Sequence, residues 1–356
     1  MTAAPDLAEY QALLRQDFRS FLERCFHELN PDAPFLANWH IDVMAAKLAQ
    51  VHNGETRRLI INVPPRHLKS LAASVAFPAW RLGHAPASRI ISVSYAQDLA
   101  DKHARDCRTI MQSDWYRSLF PTRLAAERQA VGEFTTTAHG FRLATSVGGV
   151  LTGRGAEIII IDDPLKPEEA LSDKERERVN EWFDHTLLSR LDNKTKGAII
   201  LIMQRLHEED LSGHVLSEEP WQTLVLPAIA ERDEKYRISS PFGPRSFHRR
   251  AGEALHPARE PLAVIGGLRR ALLGRTMEDA ILVPTTQRID AARIVDRQQE
   301  VERVQGTALD ARADLHRLDG RQRARWQGIK VRHHEHATEE RNRCHAASLL
   351  SGIAAI

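Results

Sequence analysis

Residues 8–29 set Leu13, Leu14, Phe18, Phe21, Leu22 and Phe26 at three- and four-residue steps, which predicts a helix with one apolar face. A second helical pattern covers 41–51. The period then changes. The run Leu59-Ile60-Ile61-Asn62-Val63 reads as a strand, followed by a helix over 69–82, a strand over 89–95 and a helix over 99–111. Shorter strands at 132–137 and 140–145 predict a hairpin through Ala138-His139. A strand at 157–161, a charged helix over 168–190, a strand at 197–203, a helix over 208–217 and a strand at 221–226 complete the alternation. The consecutive isoleucines of 158–161 suit a strand buried on both faces, as in a parallel sheet covered by helices. The predicted class is α/β: a doubly wound, mostly parallel sheet preceded by N-terminal helices. The face Asp173-Lys174-Glu175-Arg176-Glu177-Arg178 reads as solvated helix surface.

Composition changes this picture little. A chain of 356 residues suits two domains, or one large α/β domain with appendages. Its 49 Lys+Arg balance 47 Asp+Glu, which argues against a protein that coats nucleic acid but permits local basic patches. Cys25, Cys107 and Cys344 are too widely spaced for a metal or disulfide framework, which fits a reducing cytosol. No apolar run has membrane-spanning length, and the N-terminus lacks the order of a signal peptide, so no membrane association is expected.

Candidate chemistry begins where the strand over 59–63 meets Pro64-Pro65 and the chain reaches Lys69-Ser70 at a helix start. Strand, loop, Lys-Ser and helix in this order is the layout of a phosphate-binding loop. Val63 and Leu68 stand where the usual G-x-x-x-x-G-K-[ST] pattern has glycines. Backbone N–H groups from Arg66 to Ser70 and the helix N-terminus suit an anion. Lys69 would meet the β and γ phosphates of ATP, and the Ser70 hydroxyl would hold Mg2+. Pro64 and Pro65 donate no N–H and only stiffen the loop. A Lys-Ser pair at an ordinary helix start would look the same. The second segment is the strand that ends in Asp162-Asp163, at the sheet edge where α/β folds place ligands. Asp162 would bind the Mg2+ shell and Asp163 would orient or deprotonate the attacking water. Asp163-Pro164 or Lys166-Pro167 could instead simply start the next helix. Together the two segments predict a P-loop NTPase type of fold.

The segments INVPPRHLKS, IISVSYAQDLADKHARDCRTIM, GGVLTGRGAEIIIIDDPLKPEEA and AIILIMQRLHEEDLSG, in this order between about residues 35 and 257, resemble the large subunit of tailed-phage terminases. In that family Pro-Pro-Arg-His commonly precedes the Gly/Leu-Lys-Ser, so Leu68 fits a subfamily form. The resemblance implies a DNA-packaging motor: an ATPase domain that drives translocation of double-stranded DNA, then an RNase H-like nuclease domain. It implies a terminase small subunit and a portal protein as partners, a homo-oligomeric ring during packaging, and the cytoplasm of a bacterial host. Trp39-His40 resembles the segment that packs on adenine, although His40 would also suit a plain helix start. The cofactor segment is then His40 with Pro65, Arg66, His67, Leu68, Lys69 and Ser70. Gln204-Arg205 resembles the coupling motif that senses the γ-phosphate, and a strand-end Gln204 could also just satisfy a loop carbonyl. Arg66 and Arg154 are candidates for stabilising charge on the transferred phosphoryl group; either could instead meet DNA phosphate or a carboxylate.

The implied organisation is a helical segment with the adenine-side motif at 1–50, an ATPase domain at 51–230, a linker towards the nuclease at 231–271, and a degenerate or disordered tail at 272–356. After about Leu272 the resemblance stops. In the tail Trp326 is the one Phe, Trp or Tyr, and Lys330 the one lysine among many arginines. A packed domain needs more large apolar groups. A poorly folded or irregular tail is expected, from a shifted reading frame or a decayed prophage gene, with endonuclease activity absent. The other two frames of the nucleotide sequence test this: without an RNase H-like pattern in either, the idea fails. The alternative is a divergent helical tail, with amphipathic character over 293–317. His333-His334-Glu335-His336 lacks the H-E-x-x-H order of a zinc helix. The arginines of 317–325 would touch nucleic acid without specificity. Asp279, Asp290, Asp296, Asp310 and Asp314 have no context that assigns a nuclease ligand.

Three functions follow: the packaging ATPase, a helicase-like DNA-dependent ATPase, and an inactive prophage remnant. The second needs another motor lobe, which the tail does not offer. The intact Lys69, Ser70, Asp162 and Asp163 argue against the third.

Overall fold

The computed structural model describes residues 6–151 and 153–262. The expectations for the tail, including residues 333–336, the arginines of 317–325 and the scattered aspartates, lie outside the described residues.

Helices α1 (Leu7–Gln16) and α2 (Phe18–Leu29) replace the single helix expected over 8–29. The break is Asp17, whose backbone is extended and whose carboxylate accepts the Ser20 N–H at 2.9 Å. That is an N-cap, which starts a new helix instead of continuing the old one. Phe18, Phe21 and Leu22 stay buried, so the apolar stripe survives the break. Next come α3 (Trp39–His52) and β1 (Arg58–Asn62). The helix from Lys69 runs through a π-helical stretch, Leu71–Ala76, into α4 (Phe77–His84). Then follow β2 (Arg89–Ser94), α5 (Gln97–Gln112), and two elements with no counterpart in the expected series, α6 (Asp114–Leu119) and β3 (Leu124–Gln129).

Strands β4 (Glu133–Thr136) and β5 (Phe141–Ser146) form the expected hairpin. Its turn places His139 in the left-handed region at φ 65°. Gly140 follows, where a Cβ would lie 2.2 Å from the Pro86 carbonyl oxygen. His139 is exposed, so its side chain contributes little and its backbone costs energy. Asparagine tolerates the left-handed region better, so His139→Asn should raise stability by about 0.5 kcal/mol. An unchanged or lower urea midpoint would contradict the turn geometry.

The remaining elements are β6 (Ile158–Asp162), α7 (Asp173–Trp182), β7 (Ala198–Met203), α8 (Leu211–Glu218), β8 (Gln222–Val225), β9 (Glu234–Ser240) and β10 (Gly243–Arg249). The long charged helix expected over 168–190 is instead α7 followed by a π turn at Phe183–Leu187 and a 3-10 turn at Leu188–Arg190.

The eight-stranded sheet has the order β3-β4-β5-β2-β6-β7-β1-β8. From β5 to β8 every pairing is parallel, and only the β3–β4 and β4–β5 pairings are antiparallel. Alternate residues divide between two cores. Leu59, Ile61, Ile158, Ile160, Ile200 and Ile202 enter one, and Ile60, Ile159, Ile161, Ile199, Leu201 and Met203 enter the other. This doubly covered, mostly parallel α/β sheet with N-terminal helices is the expected class. Among the described residues no helix is long and apolar enough to cross a membrane.

The segment expected as a linker carries the β9–β10 hairpin, which the hydrophobic pattern does not announce. Tyr236 and Phe247 face each other across it, and Trp39 stacks on both, with ring centroids 5.1 and 6.1 Å away. Asn38 Nδ2 also donates to the Leu255 carbonyl at 2.8 Å. The hairpin is thereby docked on the start of α3.

Candidate active site

Strand order brings the candidate residues together. β7 lies between β1 and β6, so three loops leave the same sheet edge side by side. One follows β1 and carries Lys69 and Ser70; another follows β6 and carries Asp163; the last follows β7 and carries Gln204. Parallel registers hold Asn62 opposite Met203 and Asp162 opposite Ile202.

The loops are strained where they meet. Among the described residues, the non-glycine positions with positive φ are Arg66 (64°), Leu68 (62°), Asp163 (46°) and the hairpin residue His139. Each such residue costs roughly 1–2 kcal/mol, a burden typical of ligand-binding loops. Leu68 thus has the backbone that a glycine would supply without strain, and it does so while packing against the core. Val63, at the other expected glycine position, is buried and has no such backbone.

Lys69 is buried, and its ammonium contacts both oxygens of Asp163, at 2.8 Å to Oδ1 and 2.6 Å to Oδ2. The Gln204 N–H donates to the same Oδ1 at 3.2 Å. Asp162 is buried. Its Oδ1 accepts the Ser70 hydroxyl at 3.1 Å and its Oδ2 the Ser74 hydroxyl at 2.7 Å. His103 Nδ1 lies 3.6 Å from Oδ2. Burial raises the Asp162 carboxyl above its ordinary range, and Lys69 and the serine hydroxyls oppose this. Asp163 is raised by burial too, against Lys69, although its side chain remains 26% exposed, which eases the burial penalty. Burial, then Arg142 and Lys102, lowers His103 to about 3, so its ring is neutral.

The other predicted residues are placed as follows. Arg66 is exposed at the loop tip. The Pro65 carbonyl accepts from His67 Nδ1 at 2.8 Å, which turns that ring inward. His40 is fully buried, with ring centroids 5.3 Å from His67 and 5.5 Å from His256. Neither His40 nitrogen makes a well-formed hydrogen bond. Arg154 is exposed and makes a two-pronged pair with Glu133, at 2.8 and 2.7 Å, away from the aspartates' own partners. Arg205 is tied to Asp210, the N-cap of α8. Ser74, His103 and Arg142 join the site without having been expected. Ser74 carried a signal, since it lies one helical turn beyond Ser70. His103 and Arg142 reach Asp162 only through the strand order.

Two imidazoles outside the site, His40 buried and His52 half-buried, set a pH limit. Burial, with His67 and His256 adding, lowers His40 to about 3, and burial, with Arg81 and His84 adding, lowers His52 to about 4. Both folded values lie below the unfolded value of 6.5. Their contribution is therefore complete above the unfolded value and is lost as pH falls towards the folded ones. Acidification from about pH 7 to about pH 5 should lower unfolding stability by about 2 kcal/mol through His40 and by about 1 kcal/mol through His52, after a discount for the partial exposure of His52. A urea midpoint constant over that range would contradict neutral buried rings.

The donor set suits Mg2+. A hydroxyl and a carboxylate oxygen stand 3.1 Å apart beside a buried ammonium. Mg2+ takes few protein oxygens and completes its shell with water and phosphate. Among the described residues, no group of three or more His, Cys, Asp or Glu side chains is arranged to hold a metal alone.

No protein-family model matches the sequence, and no curated protein matches it. Among solved structures the chain is similar to the crystal structure of the HK97 bacteriophage large terminase. The identity is 14% over 58% of this chain and 44% of that chain, with a TM-score of 0.37. It is also similar to a mutant of the Thermus phage P74-26 large terminase ATPase domain. There the identity is 18% over 51% of this chain and 69% of that chain, with a TM-score of 0.33. The chain thus spans less than half the length of the HK97 protein.

Proposed function

We propose that this chain is a Mg2+-dependent ATPase of the terminase large-subunit type, a motor that moves double-stranded DNA. The observation that carries this reading is the convergence of Lys69, Ser70, Asp162, Asp163 and the Gln204 N–H at one sheet edge. The ordered motifs of the sequence supply the motor class, and with it DNA, a small subunit, a portal and a ring as partners.

Lys69 is the phosphate ligand. A triphosphate entering the loop competes with Asp163 for its ammonium. Once Lys69 turns to phosphate, Asp163 loses its partner and becomes free to accept a proton from water. Ser70 and Asp162 would hold Mg2+, which, when bound, spreads the negative charge that develops on the transferred phosphoryl group. The backbone N–H of Gln204 donates to Asp163, and through it Gln204 would sense whether that carboxylate is paired or free. Arg154 has to leave Glu133 before it can serve a phosphoryl group. The exposed Arg66 meets no such obstacle.

The test is phosphate release by the purified chain with Mg2+ or with EDTA, and with or without double-stranded DNA of arbitrary sequence. Turnover should need Mg2+. Stimulation by DNA should weaken as salt rises, because backbone phosphate contacts release counterions. A chain that neither binds nor hydrolyses ATP overturns the proposal.

A further inference from the structure

We propose, on the basis of the ATPase reading, that Arg142 is a positioning residue of this site: it fixes the phosphate-loop helix through the Ser74 carbonyl and so aligns Asp162 for the metal shell. The need arises from Pro78. This residue lies four positions beyond Ser74 and has no N–H, so the usual helical donor to the Ser74 carbonyl is missing. The turn before it is π-helical, with the Phe77 N–H bonded back to the Ala72 carbonyl. Departures of this kind favour functional sites. Arg142, from β5, supplies the donor: its Nη2 lies 3.0 Å from the Ser74 carbonyl oxygen.

Ser74 therefore connects two charges. Its carbonyl takes the guanidinium, and its hydroxyl donates to Asp162 Oδ2 at 2.7 Å. The other Asp162 oxygen is left facing Ser70. Arg142 is completely buried, and its Nε and Nη1 make no hydrogen bond. A cation in such a place is costly, and an apolar side chain would serve packing at least as well. What an apolar side chain could not do is donate to the Ser74 carbonyl, in the turn that sets the position of Asp162. His103 lies 3.6 Å from the same Oδ2, so the rear of Asp162 is walled by polar groups that leave Oδ1 for the site.

The experiment titrates a fluorescent ATP analogue into Arg142→Met and Arg142→Lys proteins, with EDTA and over a Mg2+ series. In Arg142→Met, binding in EDTA should stay within about twofold, while the Mg2+ concentration for half-saturation rises about tenfold, as for other residues that support metal ligands. Arg142→Lys should recover part of this, since its ammonium still donates. Equal losses with and without Mg2+, or identical behaviour of the two variants, would overturn the proposal, as these mark a packing role. Should Arg142→Met fail to fold, Ser74→Ala decides. It keeps the carbonyl contact but removes the hydroxyl on Asp162, so the same Mg2+-specific shift is expected, and unaltered Mg2+ dependence overturns the proposal. If the unmodified chain binds no analogue at all, the ATPase reading itself has failed and this inference falls with it; a flat response on a chain that does bind removes only Arg142.

Discussion

Lys69→Ala is expected to lower ATP turnover by at least about 10²-fold, the loss typical of removing one preorganised charge from a transition state. The variant should remain folded. Lys69 contributes one ion pair, and its partner Asp163 can turn to water because it is partly exposed. The stability cost should be about 1–3 kcal/mol, that of stranding one partially buried polar group. Lys69→Arg should not restore activity. A planar fork does not replace a compact ammonium at the end of a buried stem. Phosphate release and a thermal melt of each variant check both statements. Wild-type turnover in Lys69→Ala would leave the loop as an ordinary helix start.

Asp163→Asn should separate binding from chemistry. Asp163 holds Lys69 at 2.6 and 2.8 Å, so a phosphate would have to displace a carboxylate to reach it. An amide has no charge with which to compete. Affinity for ATP should therefore rise, while turnover falls by about 10²–10⁴-fold through loss of the proton acceptor. Asp162→Asn should behave differently, losing the Mg2+ dependence of binding, because that carboxylate faces Ser70 and not Lys69. A fluorescent-nucleotide titration beside single-turnover hydrolysis distinguishes them. If Asp163→Asn hydrolyses ATP at the unmodified rate, the water-activating role belongs elsewhere.

The parts of this fold most open to sequence reasoning are those governed by local pattern. The isoleucines of β6 and the apolar run of β7 could hardly be anything but strands covered on both sides, and the structure divides their side chains between two cores. The meeting of Lys69-Ser70 with Asp162-Asp163 was legible for the same reason, since each pair ends or follows a strong strand. Failures arise where one residue or a distant partner decides. Asp17 breaks a continuous apolar stripe by capping, a choice that periodicity does not register. Strands β9 and β10 are rich in charged and polar residues, and they dock on a tryptophan about two hundred residues earlier in the chain. Arg142 had no local signal at all. The sheet order alone buries it against the helix from Lys69. His40 suits either an adenine contact or a helix start by sequence, and the structure sets it in the first turn of α3, buried among two other imidazoles.

The position of β1 between β7 and β8 has a consequence for biosynthesis. The ribosome delivers the loop-bearing strand early, yet both of its hydrogen-bonding neighbours are made only near the end of the sheet. Until residues 198–225 emerge, Leu59, Ile60 and Ile61 have no native strand beside them, and such unpaired apolar edges invite aggregation. Fragments ending before β7 should therefore precipitate, even with the whole loop after β1, and the cluster around Lys69 and Asp163 should be among the last regions to mature.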